Sequence, residues 1–104
     1  MKPEPAIQII DKMLALLSSE DKWTKERFAR NRADESVSID DPTAYKFCMG
    51  GAYLKALKDI SVDSGGAFKF SNIRIVALND DPKTTYADVV EFLNKTKAAW
   101  QAEM

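Results

Sequence analysis

Asp40-Asp41-Pro42-Thr43-Ala44-Tyr45-Lys46-Phe47-Cys48-Met49-Gly50-Gly51-Ala52-Tyr53-Leu54-Lys55-Ala56-Leu57-Lys58 is the stretch on which the fold turns. Asp41 before Pro42 is a helix start: the carboxylate satisfies free backbone amides, and proline fixes a helical φ where no amide donor is needed. From Ala44 to Leu57 the apolar residues run almost all the way round, which predicts a helix over about 42–58 buried among other elements. Gly50 and Gly51 each cost about 1 kcal/mol relative to alanine inside a helix, so a neighbouring element is expected close against them. The Asn79 to Pro82 turn, or the helix after it, is the expected neighbour.

Outward from this centre, Ile10, Met13, Leu14 and Leu17 mark one face of a first helix over about 5–18, and Ile7, Ile9 and Leu16 widen it. That wide face suits packing on two neighbours and is compatible with a homodimer. Trp23, a core or lid aromatic, follows a polar break at Ser18 to Lys22. Ser36-Val37-Ser38-Ile39 then alternates as a half-buried strand does, and its natural partner lies near Arg27 to Asn31. A small β-hairpin over about 27–39 results, although Lys25 to Arg30 also fits a helical turn. Ile60 to Gly66 reads as a loop. Ala67 to Leu78 fits both periods, and a short helix near 72–78 capped by Ser71 is preferred to a strand. In the last helix, over about 84–101, Tyr86, Val89, Val90, Leu93 and Trp100 share a face, and Thr85 with Asp88 resembles a capping box. The expected fold is α+β and predominantly helical, with residues 1–104 in a single domain.

Composition removes whole classes of function. The 104 residues contain 15 basic and 16 acidic side chains, one cysteine and no histidine. A formal charge of -1 argues against nucleic-acid binding, whose affinity comes mainly from phosphate neutralisation. Lys25, Arg27, Arg30 and Arg32 remain a candidate basic surface, interleaved with acidic residues. Without histidine there is no Ser-His-Asp or Cys-His arrangement and no usual zinc set. No apolar run reaches the ~20 residues of a membrane span, and no cleavable signal pattern follows Met1-Lys2-Pro3-Glu4-Pro5, so a cytoplasmic location is expected.

Asn79, Asp80 and Asp81 form the best polar constellation. Such residues commonly bind their own backbone in turns and cap the next helix. The functional alternative joins Asp80 and Asp81 with Asp40 or Asp41, to hold a magnesium ion or a ligand hydroxyl, whereas two helix N-termini meeting there would favour an anion. Cys48, in an apolar helix with no histidine nearby, reads as a small buried hydrophobe rather than a reactive thiol.

Four segments in order carry a resemblance: Trp23; Ala-Arg-x-x-Ala-Asp at Ala29 to Asp34; Cys-x-x-Gly-Ala at Cys48 to Ala52; and Asn-Asp-x-Pro-x-Thr at Asn79 to Thr84 before Asp-Val-Val-x-Phe-Leu. Over about residues 20–97 the chain resembles a family of small bacterial and bacteriophage proteins, a domain of unknown function, whose hallmark is Trp-Asn-Asp just before the last helix. Leu78 stands here where that tryptophan would. The resemblance implies a fold and a phage or mobile-element association, and nothing about catalysis; no cofactor is expected. With the absence of a phosphate loop and of metal-ligand spacing, it leads to a non-catalytic module that binds a protein partner, one concrete version being an inhibitor of a host defence complex such as a CRISPR effector. The alternative is a small-ligand or nucleotide-binding protein, including an enzyme, using the Asn79-Asp80 turn and a groove beside Gly50 and Gly51.

Overall fold

The computed structural model describes residues 4–60 and 72–102, which form a small, mostly helical α+β fold. The elements in chain order are α1 (Glu4–Leu16), a short 3-10 turn (Glu20–Lys22), β1 (Ala29–Arg30), β2 (Lys46–Phe47), α2 (Met49–Ile60), α3 (Asn72–Asp80) and α4 (Tyr86–Gln101). The loop expected between Ile60 and Gly66, and the Ala67 to Ser71 segment with its Ser71 cap, lie outside the described residues except for Ile60.

Helix α1 forms where its periodicity places it. Ile9, Ile10 and Met13, with Leu17 just beyond the helix, are buried against α2 and α4. Fully burying such side chains stabilises by roughly 1.5–3 kcal/mol each, so this stripe is a major source of the fold's stability. Helix α4 begins with the expected reciprocal cap: Asp88 N donates to Thr85 Oγ1 at 3.2 Å, and Thr85 N to Asp88 Oδ2 at 3.0 Å. Val89 and Leu93 then carry its buried face, and the Tyr86 hydroxyl donates to the Leu17 carbonyl at 2.6 Å, tying the start of α4 to the end of α1.

The central stretch departs from expectation at its beginning. Asp41 caps a turn rather than a helix: its Oδ1 accepts from Thr43 N at 2.7 Å and Thr43 Oγ1 at 2.6 Å, and Ala44 N returns to the Asp41 carbonyl. The turn does not propagate, because Tyr45 N donates to the Arg30 carbonyl and Lys46–Phe47 pair antiparallel with Ala29–Arg30. Helix α2 therefore starts at Met49 instead of Pro42, with Cys48 as its cap. The Cys48 carbonyl accepts the first intrahelical bond, from Ala52 N, and Cys48 Sγ accepts from Gly51 N at 3.2 Å.

The expected hairpin is present as a single antiparallel bridge. Arg30 faces Ser36, flanked by Asn31 N to the Glu35 carbonyl and Val37 N to the Ala29 carbonyl. What the sequence does not announce is that β1 uses its other edge for β2, and that β2 is extended by a parallel bridge from Phe47 to Trp23.

A second correction concerns the glycines. The backbone of Phe28 presses on Gly51, not the Asn79 to Pro82 turn or α4: a Cβ built on Gly51 would lie 1.9 Å from the Phe28 carbonyl oxygen. That carbonyl also accepts from Cys48 N at 3.3 Å. The loop before β1 is thereby fixed to the first turn of α2.

Candidate functional site

The end of α3, the segment from Trp23 to Phe28 and the start of α2 meet at Asn79. Its side chain is 0% exposed and makes four hydrogen bonds. Oδ1 accepts from Trp23 Nε1 at 2.6 Å and from Met49 N, a free first-turn amide of α2, at 3.1 Å. Nδ2 donates to the Thr24 carbonyl at 3.0 Å and to Asp80 Oδ1 at 3.1 Å. A carboxamide has two lone pairs and two N–H groups, so its whole capacity is taken up inside the protein. Asn79 thus acts as a distant helix cap and a clamp on Trp23.

Asp80 sits beside it, with Oδ1 also accepting from Glu26 N at 2.9 Å. To offer that amide, Glu26 adopts φ 70°, a left-handed conformation uncommon for a residue other than glycine or asparagine. Asp81 serves its own turn, its Oδ1 accepting from Lys83 N at 2.8 Å, while Thr84 Oγ1 donates to the Leu78 carbonyl at 2.7 Å. Asp41 is occupied by Thr43, which lowers its pKa from the ordinary aspartate value, and Asp40 pairs with Lys58. The structure therefore brings Asn79 and Asp80 together but gives Asp40 and Asp41 separate tasks. Among the described residues no group of three or more Cys, Asp or Glu side chains is placed to hold a metal ion.

The four basic candidates do not form one free surface. Lys25 lies 5.4 Å from the centre of the Trp23 ring and donates to the Asp81 carbonyl at 2.7 Å, a favourable place for a cation at the end of α3. Arg30 donates to Thr24 Oγ1, the Asp34 carbonyl and the Lys25 carbonyl. Arg27 bonds the Glu26 carbonyl, and Arg32 stacks 4.3 Å from the centre of the Tyr45 ring. Lys25 and Arg30 are thus engaged in holding the loop together, while Arg27 and Arg32 are exposed.

A groove of about 340 Å³ opens beside the Asn79 clamp, lined by Glu26, Arg27, Phe28, Ser36, Val37, Cys48, Val76 and Asp80. The Phe28 residue is 46% exposed at its edge although its backbone is locked onto Cys48 and Gly51. Cys48 contributes to the wall yet is only 2% exposed, and burial pushes its thiol pKa up, as expected of a structural cysteine. A larger, shallower hollow of about 550 Å³ over Asn31 to Ala33 and Pro42 to Tyr45 is lined chiefly by turn residues, and its cation, Arg32, is already stacked on Tyr45.

Of the groove's lining, sequence reading named Asp80 and, as part of a basic surface, Arg27, but passed over Glu26, Phe28, Ser36, Val37 and Val76 as site residues. The signal that could have found Phe28 is an aromatic residue in the charged run Lys25-Glu26-Arg27-Phe28. Nothing local marks Val76. No helix among the described residues is long and apolar enough to cross a membrane. Compared with known proteins, the chain matches no family model, and no curated protein or solved structure is significantly similar to it.

Proposed function

We propose that the chain is a non-catalytic protein-interaction module whose docking face is the groove between the Glu26–Phe28 loop, the Ser36–Val37 segment and α3. The supporting observation is Phe28: a large apolar side chain, 46% exposed at the groove's edge, is held by a backbone that cannot retreat, because its carbonyl is wedged on Gly51. Rigid aromatic anchors flanked by polar groups are the residues that dominate protein interfaces. Small-ligand binding at the Asn79-Asp80 turn gains no comparable support, since the Asn79 amide has no hydrogen-bonding capacity left. The narrower version, a phage or mobile-element protein acting on a host defence complex such as a CRISPR effector, is supported by the sequence resemblance alone.

A photo-crosslinking amino acid placed at Phe28, with the same group at exposed Ala98 on α4 as control, tests the docking face. Discrete crosslinked species from position 28, absent from position 98 and lost on Val76→Glu, are expected in an extract of the source cells. Equal crosslinking from both positions, or none from position 28, refutes the reading.

A further inference from the structure

We infer that the groove takes its partner by strand addition, binding an extended segment that carries an apolar residue and, two positions away, a basic one. The inference rests on reading the groove as a docking face. In the bridge between Arg30 and Ser36, the bonds run from Asn31 N to the Glu35 carbonyl and from Val37 N to the Ala29 carbonyl. In this antiparallel pattern the amide and carbonyl of the residue between those two bonds point away from the partner strand. Those of Ser36 are therefore turned outward from β1, and neither meets another backbone group among the described residues. Ser36 also lines the groove, so an open edge with one donor and one acceptor runs along its side. Such an edge is a template for an added strand, in which main-chain bonds give affinity and pockets for alternate side chains give specificity.

The lining sets those side chains. Phe28, Val37 and Val76 supply the apolar part, while Glu26 and Asp80 place two carboxylates on the groove against one cation, Arg27. Arg27 is drawn onto the Glu26 carbonyl at 2.9 Å. Asp80 uses Oδ1 for the Glu26 and Asn79 donors, and Oδ2 accepts no bond from the described residues. A residue on the same face of an extended peptide recurs every second position, hence the apolar-x-basic spacing. The edge is too short for main-chain bonds alone to suffice, so the anchor and the charge together must select the segment.

The test uses the full chain, labelled with nitrogen-15, titrated with the synthetic peptide acetyl-Thr-Leu-Thr-Lys-Thr-Thr-amide. Saturable amide shifts centred on Ser36, Val37, Val76 and Asp80 are expected, about tenfold weaker binding when glutamate replaces the peptide's lysine, and a loss of that preference in the double variant Glu26→Gln, Asp80→Asn. N-methylation of one alternate set of peptide amides should abolish binding and methylation of the other set should spare it, the signature of a strand using one edge. Ser36→Pro, which removes the outward amide, should weaken binding about tenfold with the unfolding midpoint unchanged. Equal effects of the two methylation sets, equal binding of the glutamate peptide, or no saturable shift would overturn strand addition. So would concentration-dependent shifts at Ser36 without peptide, which would make a second copy of the chain the occupant. Crosslinking at Phe28 that persists alongside such a failure would leave the docking face standing and remove only this mode of binding.

Discussion

Replacing Asn79 by alanine should destabilise the protein more than any other single polar-to-alanine change among the described residues, because one side chain satisfies groups from three parts of the fold. The substitution strands Trp23 Nε1, the Met49 amide and the Thr24 carbonyl, all buried or half-buried, and also removes the donor to Asp80. Each unsatisfied buried group costs about 1–3 kcal/mol. Three of them, eased where water enters the space left by the carboxamide, give a loss of about 3–6 kcal/mol. Domains of this size are stable by only about 5–15 kcal/mol, so a large part of the total is at stake. With an m-value near ~1.5 kcal/mol/M, the urea midpoint followed by far-ultraviolet circular dichroism should fall by about 2–4 M.

A double-mutant cycle with Trp23→Phe isolates one bond. It should show coupling of about 1 kcal/mol, since the indole donor and the carboxamide acceptor serve each other. Asn79→Asp adds a sign. The acid keeps both acceptor roles but faces Asp80 and the Thr24 carbonyl in a buried place, so the folded state should hold its proton to higher pH than the unfolded state does. Its deficit relative to the wild type should therefore be smallest below the ordinary carboxylate range near ~4 and grow as pH rises through it. A loss under about 1 kcal/mol for Asn79→Ala, an additive cycle, or an Asp variant that gains stability with pH would each refute the clamp.

Gly51→Ala should reverse the usual benefit of alanine in a helix: the new methyl would have to move the Phe28 carbonyl by an ångström or more, and overpacking of about 1–3 kcal/mol should outweigh the ~1 kcal/mol of helix propensity, read as a lowered urea midpoint. Cys48 should resist thiol reagents until the chain unfolds. Because burial raises its folded-state pKa, wild-type stability should fall relative to Cys48→Ala as pH rises above the unfolded thiol value of about 8.5, and rapid native-state labelling would contradict this. Tyr86→Phe, which deletes the bond to the Leu17 carbonyl while leaving the ring beside Trp23, should cost about 1 kcal/mol in equilibrium unfolding.

How much of this was legible in the sequence follows from how far apart the deciding groups lie. Helices α1 and α4 were readable because their signals are local: a buried stripe at helical spacing in one, and Thr85 and Asp88 three residues apart in the other. The start of α2 was not. Asp41-Pro42 is a sound cap signal, and Asp41 does cap, but whether its turn grows into a helix is settled by the Arg30 carbonyl taking Tyr45 N. The Met49 amide likewise finds its acceptor in Asn79, thirty residues away. Gly51 of the glycine pair has the close neighbour expected there, yet that neighbour's identity depends on a loop whose path needs Glu26 at positive φ, which sequence does not advertise. Asn79 and Asp80 stand out in the sequence as a polar pair, but their residue type alone does not tell an exposed ligand site from an internal clamp. The distinction matters for function. Asp80 Oδ1 fixes the Glu26 amide, and Gly51 fixes the Phe28 carbonyl, so the two ends of the same three-residue loop are both pinned. The shape of the proposed docking face is therefore set from inside, and on that proposal changes at Asn79 or Gly51 should weaken binding before they unfold the chain.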